Sequence, residues 1–236
     1  MKKSTIMITA AVLVILGSLT AFNIKIKQIY LTGSYKSRFN GMDFTPLNGL
    51  ENIDIQNANK LGIKIEQGEK EGIWIGKTSK DIHQLDFHDH TLKMGFSEEA
   101  KKNGYYSWDE VVIITKNLKK VKTMPYISNP EDANNITGTL EIKGYQIKNL
   151  DLQVGLGGTF FLYKMQMDTL NAIVGDEKNG KAALYISSDT KINTANLNVP
   201  GKSTLTLADP KITKAVYNLS DSATVSLNGK MVQLIK

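Results

Sequence analysis

The chain has 236 residues, enough to bury a sizeable core, and its 41% hydrophobic and 22% charged residues are typical of a folded globular protein. It contains no cysteine, which excludes a disulfide framework, a thiolate metal site, a cysteine nucleophile and the lipid-bearing cysteine of a bacterial lipoprotein. The net charge is +6, but the lysines are interspersed with Asp and Glu, so the charge pattern argues against nucleic acid as a partner.

The N-terminal segment predicts export. Lys2 and Lys3 precede an uncharged apolar run over residues 4–24, which is the arrangement of a secretory signal. As a helix this run would be about 31 Å long, close to the roughly 30 Å hydrocarbon thickness of a bilayer. Cleavage after Ala21 would place Leu19 where a small side chain is needed. We therefore favour an uncleaved membrane anchor at residues 1–24, with a cleaved signal peptide as the alternative.

The rest of the chain is expected outside the cytoplasm, in the bacterial cell envelope. Residues 25–45 are polar, contain Gly and Ser, and predict a linker. The folded domain is expected over residues 46–236, and contact with the membrane is expected through residues 4–24.

Short runs of alternating apolar residues begin near Leu50. They recur about every ten residues, at Ile53 and Ile55, Ile63 and Ile65, Ile73 and Ile75, Leu85 and Phe87, and Leu92 and Met94. Alternation with a period of two indicates half-buried β-strands. One exception is a helical turn over residues 98–100, which Ser97 is expected to cap.

The C-terminal half contains a repeat of about 20 residues. Apolar residues with the same spacing begin at Ile147, Met167, Ile192 and Ile212, and a second set of strand ends falls at Leu162, Ile186, Leu207 and Leu227. One step of the repeat is longer because about four residues are inserted between Gly175 and Gly180. A unit this short cannot bury its own apolar face, but stacked units form one core.

The repeat predicts an all-β fold: a single-stranded right-handed β-helix, or solenoid, with coils of about 20 residues that are clearest in residues 147–236. Equivalent residues of successive coils should then touch and be buried, as for Leu207 with Leu227 and Ile192 with Ile212. Lys202 and Asp221 should lie at exposed turns. An antiparallel sandwich is the alternative, because strands about ten residues apart occur there as well.

The order of these motifs resembles a known family. The matching segments are Leu50–Ala58, Leu61–Gly68, Ile73–Ile75, His90–Met94 and the repeats that follow. Over about residues 47–236 the chain is similar to the auto-transporter adhesin head (GIN) domain family of exported bacterial proteins. That resemblance implies a β-helical fold and an envelope location, and it carries no catalytic residues.

Two groups of side chains are candidate sites. Asp86, His88 and His90 would project from one face of a continued strand and could hold Zn²⁺, although a solvated hairpin turn is the interpretation we favour. Tyr105, Tyr106 and Trp108 could stack against a sugar ring, although aromatic residues in a long connection more often cover the end of a core.

No catalytic arrangement is evident. Asp168, Asp189, Asp209 and Asp221 do not all share one position of the repeat, so they are not expected to converge on a substrate. We therefore expect a non-enzymatic protein without a cofactor, which presents an interaction surface to an envelope protein or a glycan. A self-assembling envelope scaffold is the first alternative, and a polysaccharide-acting enzyme is the second.

Overall fold

The computed structural model describes residues 3–103, 110–128, 138–155, 157–176 and 181–235. The chain divides into two compact units, Met1–Met42 and Asp43–Lys236.

The first unit is dominated by helix α1 (Lys3–Thr32), which continues eight residues beyond the apolar run. Its Ile, Leu, Val and Phe side chains are exposed, and none of its residues is buried. Within the described residues this helix alone is long and apolar enough to cross a membrane, a criterion that an N-terminal signal sequence also meets.

The second unit is built from β-strands. The described residues form β1 (Met42–Pro46), β2 (Asn52–Ile55), β3 (Gly62–Gln67), β4 (Gly72–Gly76), β5 (His83–His88), β6 (Thr91–Phe96), β7 (Glu110–Thr115), β8 (Lys120–Thr123), β9 (Thr139–Lys143), β10 (Gln146–Val154), β11 (Thr159–Tyr163), β12 (Gln166–Val174), β13 (Ala183–Ile186), β14 (Lys191–Val199), β15 (Thr204–Ala208), β16 (Lys211–Leu219) and β17 (Thr224–Asn228). A short helix α2 (Glu98–Asn103) follows β6. The helical turn predicted there is confirmed, since the Ala100 backbone N–H donates to Ser97 Oγ at 3.2 Å.

These strands form two large sheets. The nine-stranded sheet has the order β1-β4-β7-β3-β9-β11-β13-β15-β17, and the eight-stranded sheet has the order β16-β14-β12-β10-β8-β2-β6-β5. Side chains alternate in burial along each strand, and the inward residues of both sheets belong to one hydrophobic core. The two sheets therefore form two layers around a shared core.

From β9 onward, successive strands alternate between the two sheets. Each strand pairs in parallel with the strand one repeat later, so that Ile192 faces Ile212 and Leu207 faces Leu227. Leu207, Ile192 and Ile212 are buried, and Leu227 is only half-buried. The predicted contacts between residues one repeat apart are thus present in this part of the chain.

The predicted single-stranded right-handed β-helix is nevertheless wrong as a description of the protein. The structure has two large sheets of mixed parallel and antiparallel pairs, with 17 strands in the described residues. Strand β4 runs antiparallel to β7, and β5 runs antiparallel to β6. The antiparallel sandwich does not describe the protein either, because the neighbouring strands from β9 to β17 are parallel.

The hairpin of β5 and β6 shows why a uniform coil fails in the N-terminal half. Only Asp89 and His90 connect the two strands, and both have positive φ angles, 46° and 60°. A two-residue connection reverses the chain, so the flanking strands must pair antiparallel. A coil instead requires every strand to pair in parallel with the strand of the next turn.

Candidate functional site

The structure brings together two of the three side chains that were predicted as metal ligands. His88 Nε2 lies 2.9 Å from Asp86 Oδ1 at the end of β5, and both side chains are largely exposed. His90 lies in the turn, where its Nδ1 is 2.7 Å from the carbonyl oxygen of Gly49. His90 is therefore engaged with a backbone carbonyl, in the polar hairpin turn that the sequence favoured.

A metal ion bound to protein alone needs about four ligands in the usual zinc geometry. Among the residues that the structure describes, no group of three or more His, Cys, Asp or Glu side chains is placed to hold a metal ion. The pair of Asp86 and His88 supplies two ligands on an open surface. The zinc site of Asp86, His88 and His90 thus remains the untested alternative to the polar turn, and a zinc titration decides between them.

The predicted sugar platform of Tyr105, Tyr106 and Trp108 lies outside the described residues. It remains a prediction from the sequence.

A different group of aromatic side chains lies on the outer face of the nine-stranded sheet; we name Phe161, Tyr163 and Tyr185 the aromatic cluster. The rings of Phe161 and Tyr163, two residues apart on β11, are stacked at 5.6 Å between centroids with an interplanar angle of 6°. Tyr185, on the neighbouring strand β13, is tilted against both rings, at 5.6 Å and 6.3 Å. All three side chains are half-buried and face away from the core.

Polar side chains border the aromatic cluster on both sides. Glu141 and Lys143 of β9 pair with its residues on β11, and Thr206 of β15 pairs with its residue on β13. Partial burial raises the pKa of the Tyr163 hydroxyl, and nearby carboxylates add to the effect. The hydroxyl therefore stays neutral near pH 7 and can both donate and accept a hydrogen bond.

Sequence reasoning missed this cluster, although a signal was present. Phe161 and Tyr163 alternate with core residues on one predicted strand, and Leu162 and Ile186 were matched as equivalent strand ends. The residues immediately before those ends are Phe161 and Tyr185, so the same alignment places them side by side. The structure has this register, with Phe161 paired to Tyr185.

Three of the four carboxylates considered for catalysis are engaged in separate local hydrogen bonds. Asp168 Oδ1 accepts from Asn193 Nδ2, at 2.9 Å. Asp189 Oδ1 accepts from the backbone N–H of Lys164, and Asp209 Oδ1 accepts from that of Lys230, each at 2.9 Å. Each of these carboxylates therefore accepts a hydrogen bond from a residue of a neighbouring repeat.

An amide ladder crosses the outer face of the eight-stranded sheet. Asn171 Nδ2 donates to Asp151 Oδ1 at 2.8 Å, and Asn196 Nδ2 donates to Asn171 Oδ1 at 2.8 Å. Asn218 Nδ2 donates to Asn198 Oδ1 at 3.1 Å. Because each bond joins adjacent parallel strands, the ladder supports the register of the sheet.

Comparison with solved structures identifies proteins of similar fold. A crystal structure of a candidate adhesin from Bacteroides fragilis matches with 16% identity and a TM-score of 0.50, over 79% of this chain and 96% of that chain. A candidate adhesin from Parabacteroides merdae has 13% identity and a TM-score of 0.35, over 80% of this chain and 95% of that chain. A candidate lipid-binding protein from Parabacteroides distasonis has 13% identity and a TM-score of 0.34, over 80% and 96%.

At 16% identity, the match to the Bacteroides fragilis structure shows a shared fold. No family model matches the chain, and no curated protein matches it. Membership of the GIN domain family therefore remains a prediction from the sequence.

Proposed function

We propose that the protein is a non-enzymatic adhesion protein of the bacterial cell envelope, which α1 holds in the membrane and which binds glycans through the aromatic cluster. Its ligand-binding face is then the outer surface of the nine-stranded sheet, on the extracytoplasmic side.

The aromatic cluster is the observation that carries this proposal. The outward parts of these half-buried rings offer an apolar surface to the C–H groups of a pyranose ring, while polar groups at the border fix its orientation through hydrogen bonds. Glu141 accepts, Lys143 donates, and the Tyr163 hydroxyl does both. One carboxylate and one ammonium group at the border favour an uncharged sugar over an ion.

Two further observations support the proposal. Helix α1 has the length and the exposed apolar surface of a membrane anchor or export signal. The fold is shared with the candidate adhesin from Bacteroides fragilis. Fold alone does not carry function from one protein to another, so the aromatic cluster provides the specific argument.

The test is a glycan-binding screen with the full chain in lipid nanodiscs, followed by affinity measurements on the glycans that bind. We expect Tyr163→Ala and Tyr185→Ala to weaken binding at least about tenfold, because each removes a ring face that contacts the sugar. Tyr163→Phe keeps the ring but lacks the hydroxyl, and we expect a smaller loss.

Tyr126→Ala is the matched control. Tyr126 packs edge-to-face on Phe96 at 5.1 Å, away from the aromatic cluster, so its loss should leave glycan affinity unchanged. Circular dichroism and thermal unfolding will show that each variant is folded. Equal glycan affinity of the wild type and both alanine variants would overturn the proposed site, and binding to proteins but to no glycan would overturn the ligand class.

A further inference from the structure

The excess positive charge of the chain is concentrated in its first unit. All 23 acidic residues lie in residues 43–236, together with 23 of the 29 Lys and Arg residues, so this part carries no formal net charge. Residues 1–42 contain six basic residues and no acidic residue, and they account for the whole net charge of +6. Such a separation of charge along a chain points to an anionic partner of the basic part.

Four of the six basic residues follow the apolar run over residues 4–24. They are Lys25, Lys27, Lys36 and Arg38, and all four side chains are exposed. At 1.5 Å per residue along α1, the Cα atoms of Lys25 and Lys27 lie within about 5 Å of the end of the run. The headgroup layer on each side of the hydrocarbon core is about 5 to 7 Å thick. When the run spans a bilayer, these two lysines therefore lie among lipid phosphate groups.

The chain turns back where α1 ends. Gly33, which follows the last residue of α1, has a φ of 65°, and a 3₁₀ turn at Ser34–Lys36 comes next. This turn stacks the Tyr35 ring on the Tyr30 ring, with 5.9 Å between centroids and an interplanar angle of 9°. Because helical side chains tilt toward the N-terminus of their helix, Tyr30 and the ring stacked on it point back toward the apolar run.

The other two cations lie beside aromatic rings of the same segment. Lys36 Nζ lies 5.6 Å from the centroid of the Tyr35 ring, and Arg38 Cζ lies 4.5 Å from the centroid of the Phe39 ring. Tyr30 and Tyr35 are 69% and 45% exposed. Tyrosine is enriched where a membrane meets water, because its ring is apolar and its hydroxyl is polar. We name the following residues the basic cluster: Lys25, Lys27, Tyr30, Tyr35, Lys36 and Arg38.

We propose that the basic cluster binds the phosphate groups of anionic phospholipids, such as phosphatidylglycerol, in the leaflet at the C-terminal end of α1. This inference rests on the proposed anchoring by α1 and is independent of glycan binding. Residues 1–42 contain no carboxylate that could neutralise the cluster, and lipid phosphates border Lys25 and Lys27 directly. Each basic residue close to an anionic membrane surface adds to the attraction, and salt screens it.

The experiment uses the full chain in vesicles of phosphatidylcholine and phosphatidylglycerol at a ratio of about 3:1. Because the chain has no cysteine, a single Asn40→Cys substitution at an exposed residue carries a fluorescent donor. Energy transfer to a trace of acyl-labelled phosphatidylglycerol or phosphatidylcholine measures which lipid is enriched around the basic cluster. We expect phosphatidylglycerol to be enriched at least about threefold in about 20 mM salt, and the two lipids to become nearly equal in about 0.5 M salt.

Two variants with the same net charge separate the basic cluster from the charge of the whole chain. The cluster variant loses four positive charges next to α1, and we expect it to lose the enrichment: Lys25→Gln/Lys27→Gln/Lys36→Gln/Arg38→Gln. The matched control loses four positive charges at exposed residues of the domain, and it should keep the enrichment: Lys148→Gln/Lys202→Gln/Lys211→Gln/Lys214→Gln. The apolar run is unchanged in both variants, so both should insert into vesicles.

Flotation with vesicles of phosphatidylcholine alone tests the anchor separately, because the apolar run needs no lipid charge to insert. A wild type that floats but enriches neither lipid, a cluster variant that keeps the enrichment, or a domain variant that loses it would each overturn this inference and leave the anchor and the glycan site standing. A chain that does not float would overturn the anchor and this inference together. Inorganic phosphate that competes more strongly than sodium chloride at equal ionic strength would indicate a site for free phosphate and overturn lipid as the partner.

Discussion

The turn residues Asp89 and His90 determine the hairpin of β5 and β6, and they also determine where the predicted zinc ligand His90 lies. Their left-handed backbone angles form the two-residue turn of a β-hairpin, and His90 Nδ1 contacts the carbonyl oxygen of Gly49. Gly49 itself has a φ of +75°, and a Cβ there would approach the His90 ring to 3.0 Å. With its ring engaged at Gly49, His90 does not complete a group of metal ligands with Asp86 and His88.

This geometry leads to a prediction for zinc. We expect no micromolar zinc site in the wild type, and we expect His88→Asn/His90→Asn to leave both zinc binding and stability unchanged. Asparagine tolerates positive φ and can still donate to the Gly49 carbonyl, so the turn should persist. Isothermal titration with zinc and a thermal melt provide the measurements. A micromolar site in the wild type that disappears in the double variant would establish the metal site instead.

The candidate site was only partly predictable from the sequence. Tyr163 and Phe161 could be assigned to one strand by their alternation, but stacking against Tyr185 depends on the lateral neighbour, 24 residues away. Which residue of β13 lies beside Phe161 depends on the number of residues inserted near Gly175. The hairpin turn at His88 was easier to predict because the break in alternation is local.

At the scale of the elements, paired leucines on neighbouring parallel strands should differ in how much they stabilise the fold, because they differ in burial. We expect Leu207→Ala to lower the free energy of unfolding by about 2 to 5 kcal/mol, through lost burial and an unfilled cavity. Leu227→Ala should cost less, about 1 kcal/mol, because Leu227 lies on the edge strand β17 and is only half-buried. Equilibrium denaturation in urea measures both values.

Lys202→Ala is the control for this series. Lys202 is exposed between β14 and β15, so its removal should change the free energy of unfolding by no more than about 0.5 kcal/mol. Equal costs for Leu207→Ala and Leu227→Ala would contradict the difference in burial.

The two halves of the domain differed in how far the sequence could predict them. In residues 139–228, equivalent apolar residues recur in each repeat, and their pairing follows from that spacing. Before β9 the alternation at Ile73 and Ile75 correctly indicates a strand. It does not indicate whether that strand pairs in parallel or antiparallel, because side chains alternate identically in both cases. The order β4-β7-β3 therefore could not be read from the pattern.

At the scale of the whole molecule, the apolar helix predicts location. We expect the full-length protein in the membrane fraction of the producing cell, with residues 46–236 accessible to protease only from the extracytoplasmic side. Cell fractionation and protease protection provide the measurement. Full-length protein in the soluble cytoplasm would contradict export, whereas a soluble exported form without about the first 21 residues would contradict only the anchor.

The nine-stranded sheet also sets a length. The chain enters the nine-stranded sheet at β1 and reaches its far edge at β17, eight strand spacings away. At about 4.8 Å per spacing, the two edges are about 38 Å apart, nearly the full width of a bilayer with its headgroups. One repeat, such as residues 191–210, adds one strand to each sheet, so gain or loss of a repeat would move the far edge by a single spacing. The number of repeats therefore sets the distance between the two edges of the sheet. Gain or loss of repeats would change that distance in steps of about 5 Å while the pairing of the remaining strands is kept.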